Sequence, residues 1–413
     1  MERSIRLAVT ALACLPAIAA AQKPLALSKP EVEYADPFTQ ISGIRELKDG
    51  RLLVADARDK TLQLIDFKSG SATKVGREGQ GPGEYSLPLR VVALPGDSAA
   101  VYDAGNQRYL TVHPDGKTGK DFRLEAATPP AGAGGAGGRA GGMMVMLSPP
   151  RGTDAKGNIY YEGPAFSMSS EGMPTQADTA PVIKFDRGAR RADTVAFVRL
   201  AKNNAQVSGG RGEVRMVIGQ ANPLIPRDDW VVLPDGKVAV VRAADYHVDL
   251  YASRTSKVSG PPAAYDKIRV DDAVKKQVEA DRAKAQRNGI RMTVNAGSGG
   301  NTRSTEIGGG RGGDVQIPPL TDWPDFVPPF LANAAAVRTN GEVWVLRTRK
   351  PGDNIPVYDV FDASGRVIGR VSLPAKSRLI GFGQGTVYLV RLDDDDLQYL
   401  QRFRLPMDAK LVG

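Results

Sequence analysis

Six times along this 413-residue chain a tight, glycine-containing turn leads into a short apolar strand, and this recurrence restricts the fold more than any other feature. The turns fall at Asp49-Gly50, Gly96-Asp97, Lys156-Gly157, Asp235-Gly236, Asn340-Gly341 and Gln384-Gly385; the strands after them read RLLVAD, SAAVYD, NIYYEG, KVAVVR, EVWVLR and TVYLVR. Third strands follow as TLQLIDF, QRYLTVHP, PVIKFD, HVDLYA, PVYDVFD and LQYLQRFRL. Turn signals such as Lys68-Ser69-Gly70, Asp115-Gly116, Arg187-Gly188 and Ser364-Gly365 close several second hairpins. Glycine enters such turns readily because it adopts positive φ without a steric cost. Four-stranded antiparallel meanders repeated around an axis bury both faces of their strands, so the reading is all-β: a six-bladed β-propeller.

The best-preserved copy spans residues 76–116, with Gly76, Gly79, Gly81 and Gly83, the pair Glu84-Tyr85, Pro88 leading the next strand, then Asp103, Gly105, Asn106 and Arg108 in order. This stretch resembles the repeat unit of NHL-type β-propellers, and the resemblance extends more weakly over most of 41–406. It implies a bacterial, secreted six-bladed propeller. Propellers of this kind host sensors, protein-binding modules, lyases and lactonases, so the resemblance implies a fold and leaves the reaction open.

Spacing between the repeats is uneven. The long inserts 126–146, 163–180, 201–223, 266–329 and 348–356 all fall in second-to-third or blade-to-blade connections, which share one face of a meander propeller. Binding is expected on that loop-rich face. The insert 266–329, between blades 4 and 5, predicts a helix over Asp272–Asn288, started by Asp271 or Asp272 and stopped by Asn288-Gly289. Lys275 and Glu279 are spaced to pair, and Val270, Val274 and Val278 make a narrow apolar stripe. The glycine-rich segment 296–314 and the proline-rich return 318–329 lead back to blade 5. The insert reads equally as a lid over the channel or as a surface excursion. The sixth repeat lacks its own fourth strand, which Glu31–Tyr34, within the segment 22–40, is placed to supply; residues 407–413 form a tail.

Arg3 and Arg6 precede an apolar run from Leu7 to Ala20, and Ala19-Ala20-Ala21 ends it. This is the pattern of a signal peptide cleaved near Ala21, giving a secreted or periplasmic product; lipidation at Cys14 is the alternative. No second apolar run has spanning length. Cleavage removes Cys14, the only cysteine, and with it any disulfide or thiolate chemistry. The net charge of +9 suits either a solvated basic surface or an anionic partner. Nucleic acid is disfavoured, since no basic stretch is interleaved with aromatics. A monomer is expected.

Counting six residues past the turn glycine reaches Asp56 in blade 1, and Arg242, Arg347 and Arg391 in blades 4, 5 and 6; Asp103 follows in blade 2 after a one-residue slip, and Glu162 lies one position early in blade 3. The aspartates suit hydrogen bonds from turn amides. The arginines suit a carboxylate or phosphate ligand, or a bridge between neighbouring blades. The ligand-binding candidates are therefore Arg242, Arg347, Arg391, Asp56 and Asp103. His113 and His247 are too few for a three-histidine zinc site, and Asp393–Asp396 read as a solvated turn rather than a calcium site. No cofactor is expected, with a divalent cation such as calcium kept open. A lactonase-like site would draw on Asp56, Asp103, Asn106 and Asp245. The glycine tracts 131–142 and 308–313 lack the lysine of a phosphate loop, and no serine-nucleophile motif stands out. The functional expectation is an exported binding or scaffold module for a protein or small anionic ligand, with a metal-dependent hydrolase or lyase at the channel mouth as the alternative.

Overall fold

The computed structural model describes residues 24–124, 149–168, 174–201, 206–208, 215–217, 222–288, 292–298, 301–307 and 319–405. The leader with Cys14, the glycine tracts 131–142 and 308–313 and the tail 407–413 lie outside them.

Each repeat builds one antiparallel sheet, and the six sheets form a six-bladed β-propeller. Blade 1 consists of Ile41–Glu46, Leu52–Asp56, Thr61–Asp66 and Ser71–Lys74 in spatial order. Blade 4 repeats the plan with Asp229–Val232, Val238–Arg242, His247–Ser253 and Ser256–Ser259. In blade 2 the strands Pro88–Ala93, Ala99–Asp103 and Arg108–Val112 are joined by an irregular outer segment through the bridges Tyr109 to Phe122 and Val112 to Thr118. Blade 3 holds Gly152–Thr153, Ile159–Glu162, Thr179–Asp186 and Arg191–Arg199. Blade 5 holds Ala335–Val337, Val343–Leu346, Val357–Phe361 and Val367–Ser372.

Blade 6 is made of Ser377–Phe382, Thr386–Leu392 and Gln398–Arg404, and its fourth strand is Val32–Glu33, paired antiparallel to Arg402 and Gln401. Sheet hydrogen bonding thus joins the last repeat to the segment before the first. The same segment begins on blade 5, where Leu25–Ala26 adds a parallel strand beside Val371 and Ser372.

The core is a ring of six apolar wedges, one between each pair of neighbouring blades. Leu53, Leu62 and Leu64 of blade 1 meet Val91, Val101 and Leu110 of blade 2. Leu52 and Val54, on the other face of blade 1, meet Tyr388, Val390 and Leu400 of blade 6. Alternate residues of one strand therefore serve opposite wedges, which is why the second strands read as continuous apolar runs. First strands crowd the axis: a Cβ on Gly43 of blade 1 would lie 2.6 Å from the backbone nitrogen of Val91 in blade 2. Only glycine allows that approach.

The insert between blades 4 and 5 contains the helix α1, Asp272–Asn288. Asp271 caps it by accepting from the Val274 amide at 2.9 Å. Glu279 turns to Arg282 (2.7 Å) and the Leu320 amide (3.2 Å), while Lys275 pairs with Asp272 at 3.7 Å, instead of the spacing partners expected of the pair. Part of the glycine-rich segment is a hairpin, Met292–Ser298 with Asn301–Ile307, and further hairpins occupy the inserts at Phe166–Met168 with Pro174–Gln176 and Gln206–Ser208 with Arg215–Val217.

Candidate functional site

The ends of the second strands hold two kinds of structural anchor. Asp56 is buried, and its carboxylate accepts from the amides of Thr39 (2.9 Å), Gln40 (2.8 Å), Arg58 (2.9 Å) and Asp59 (2.9 Å). It ties the start of blade 1 to its own second-to-third turn. Asp103 does the same in blade 2, accepting from the amides of Ser86 (3.0 Å) and Leu87 (2.8 Å) and from the Asn106 side chain (2.7 Å).

The arginines at the equivalent places in blades 4 to 6 carry acidic partners. Arg242 bonds Asp249 (2.8 Å), Asp228 (2.7 Å) and the Tyr251 hydroxyl (2.6 Å), and reaches the Phe197 carbonyl of blade 3 at 3.0 Å. Arg347 lies 3.7 Å from Asp359 and 3.6 Å from Asp266. Arg391 grips both oxygens of Glu33 at 3.0 and 2.8 Å and stacks over the Tyr399 ring. Asp56, Asp103, Asn106 and Asp245 do not converge: Asn106 binds Asp103, and Asp245 binds His247 at 2.7 Å. Among the described residues no group of three His, Cys, Asp or Glu side chains could hold a metal ion.

A different set of charges stands at the same level on the first strands. Arg90 faces Tyr102, Asp229 faces Val241 and Arg378 faces Val390, in each case one residue before Asp103, Arg242 or Arg391 on the neighbouring strand. Arg151 stands just before the first strand of blade 3. It bonds Asp229, the Trp230 carbonyl (2.7 Å) and Asn333 of the blade 5 connection, so one guanidinium ties three blades. Asp229 is saturated as well, accepting from the amides of Trp230 (2.9 Å) and Ala335 (2.8 Å).

Arg90 differs. It is half-buried, and among the described residues it makes no hydrogen bond or ion pair. Loss of solvation, and then the nearby charge of Arg151, hold its guanidinium below the ordinary arginine value, with Asp229 opposing them. Arg378, exposed on blade 6, has among the described residues a single acceptor, the Gln398 side chain at 3.3 Å. Counting forward from the turn glycines misses these residues because they precede the turns. Counting back six or seven places from Gly50, Gly96, Gly157, Gly236, Gly341 and Gly385 reaches Gly43, Arg90, Arg151, Asp229, Ala334 and Arg378.

The insert spans this face. At one end Val274, Ile268 and Val327 pack with Leu224 of the blade 3 to blade 4 connection. Further along α1, Lys284 pairs with Asp396 of blade 6 at 2.7 Å. Two other acids of the run 393–396 make local contacts: Asp393 accepts from the amides of Asp395 (3.0 Å) and Leu397 (2.8 Å), and Asp394 pairs with Lys376 at 2.8 Å. No helix among the described residues is long and apolar enough to cross a membrane.

Sheet order and the closed ring of wedges define the class: a six-bladed β-propeller with a helical insert across its loop-rich face. No family model matches the chain, and no curated protein does either. Among solved structures, it is similar to a member of the DUF4221 family from Bacteroides vulgatus (8% identity, 90% of this chain and 96% of that chain, TM-score 0.44). It is also similar to a gluconolactonase from Xanthomonas campestris (10% identity, 90% and 88%, TM-score 0.40) and to virginiamycin B lyase from Staphylococcus aureus (10% identity, 90% and 97%, TM-score 0.37).

Proposed function

We propose that the chain is an exported, NHL-like binding module that takes an anionic ligand at the loop-rich mouth of its central channel, with Arg90 and Arg378 as the binding cations. The observation that carries the reading is Arg90: a partly desolvated guanidinium beside a second one, Arg151, with no acceptor among the described residues. Asp229 offsets that charge only in part, being already held by Arg151 and two amides, and a carboxylate or phosphate adds a counter-charge in two-pronged geometry. Export is supported by the leader pattern of residues 1–21. Arg242, Arg347 and Arg391 act in this reading as supports, since each is already turned to an acidic partner.

Calorimetric titration of the protein with citrate and with inorganic phosphate, at low and at moderate salt, tests the reading. Wild-type protein is expected to bind at least one probe. The double variant Arg90→Gln with Arg378→Gln is expected to lose tenfold or more in affinity while keeping its thermal transition. Equal affinity in the two proteins would remove the mouth from consideration.

A further inference from the structure

A cleft of about 520 Å³ opens between blades 3 and 4, beside their apolar wedge, and charged side chains line it together with Ala196, Phe197 and Ala244. Its floor is Arg242 with Tyr251, Asp228 and Asp249. The two floor acids are buried and face inward. Asp228 accepts from the amides of Arg199 (2.9 Å) and Ala243 (3.1 Å) and from Arg242; Asp249 accepts from Arg242, Ser259 and Lys257. Their charge is thus consumed below the surface.

The rim is cationic. Arg199, at the end of the outer strand of blade 3, and Arg254, in the last turn of blade 4, are exposed lining residues with no ion-pair partner among the described residues. Lys257 joins them, 43% exposed at its side chain while touching Asp249. Asp245 is the one exposed acid in the lining, and His247 already occupies one of its oxygens at 2.7 Å. Arg199 and Arg254 belong to opposite ends of strands about 20 Å long, at roughly 3.3 Å per residue. The volume lies within the usual range for small-molecule sites, about 300–1,000 Å³.

We propose that this cleft is a second binding site, for a multivalent organic anion whose carboxylate or phosphate groups are held by Arg199 from blade 3 and by Arg254 and Lys257 from blade 4. A single charged group cannot meet both ends, so multivalency is required. A ligand so held joins two blades and raises the unfolding temperature in proportion to its occupancy. The cations that would hold its ligand, Arg199, Arg254 and Lys257, are not those of the channel mouth, Arg90 and Arg378, so the two sites stand or fall separately.

The test titrates the full chain with hexaglutamate and with a linear polyphosphate, each about 20 Å long when extended and so able to reach both ends of the cleft, reading both heat and thermal transition, in wild type, in the double variant Arg199→Gln with Arg254→Gln, and in Arg90→Gln with Arg378→Gln. Wild type is expected to bind a probe and to melt at higher temperature with it. The cleft variant, altered only at exposed side chains, is expected to lose tenfold or more in affinity and the thermal gain, while the mouth variant keeps both. Hexaglutamate alone binding assigns a carboxylate ligand; polyphosphate alone assigns a phosphate. The proposal is overturned if neither probe binds, or if the cleft variant binds and melts as wild type does.

Discussion

Arg391 and Glu33 form a two-pronged ion pair, 3.0 and 2.8 Å, between the second strand of blade 6 and the segment that completes that blade from the other end of the chain. Gln401 adds a third contact to the same carboxylate at 2.6 Å. Both partners are about one-third exposed, so water and salt screen them. Glu33→Ala is expected to cost about 1 kcal/mol in urea denaturation at low salt, and less at high salt. A cost that does not change with salt would show that the pair acts through packing on Tyr399 and not through charge.

The six blades were legible because one turn chemistry recurs and because both faces of every second strand are buried, which leaves continuous apolar runs in the chain. The helix was legible from Asp271 at its start and its valine stripe. The charges were harder, because the position of an arginine on a strand says nothing about its partner. Arg391 is answered by Glu33, and Arg242 by Asp228 and Asp249, residues of other strands and connections. Arg90 and Arg378 escaped for a geometric reason as well: their strands shift register between Pro88 and Arg90 and between Leu379 and Gly381, which blurs the spacing that a repeat alignment relies on.

Asp56 offers a separation of structural from ligand roles. Its carboxylate takes four backbone amides and lies 1% exposed, so Asp56→Ala removes the shared acceptor that ties the start of blade 1 to the turn at Arg58 and Asp59. The expected cost is roughly 3 kcal/mol or more, with Asp56→Asn intermediate because one acceptor oxygen remains. Denaturation measured beside citrate titration checks this: stability should fall while affinity at the mouth holds. Intact stability with lost affinity would reverse the assignment and make Asp56 a ligand contact.

Gly43 tests how closely the first strands approach at the axis. A methyl group there meets the Val91 nitrogen at 2.6 Å and the Val91 side chain at 3.2 Å, and a backbone atom cannot yield as a flexible side chain does. Gly43→Ala is expected to destabilise by about 1–3 kcal/mol, the range of an overpacked core. A variant as stable as wild type would mean that blades 1 and 2 separate at the axis more easily than their shared wedge suggests.

Asp249 governs the acid limb of stability between blades 3 and 4. Burial raises its carboxyl, but the Ser259 hydroxyl, Arg242 and Lys257 outweigh burial and hold it at about 2, against 3.8 for a free carboxyl. His247 is the remaining titratable group facing it, at 3.3 Å. A depressed carboxyl stabilises the fold fully above the free value and loses that contribution as pH falls through the folded one, so about 2 kcal/mol is present above pH 5 and fades between pH 4 and pH 2. Asp249→Asn removes the titrating group and leaves Arg242 with Asp228 alone. The stability gap between wild type and this variant should therefore be largest at neutral pH and narrow by about 1.5 kcal/mol by pH 2.5. Urea denaturation of both proteins at pH 7, 4 and 2.5 measures it, and a gap independent of pH would place the carboxylate's contribution in shape and hydrogen bonding instead of charge.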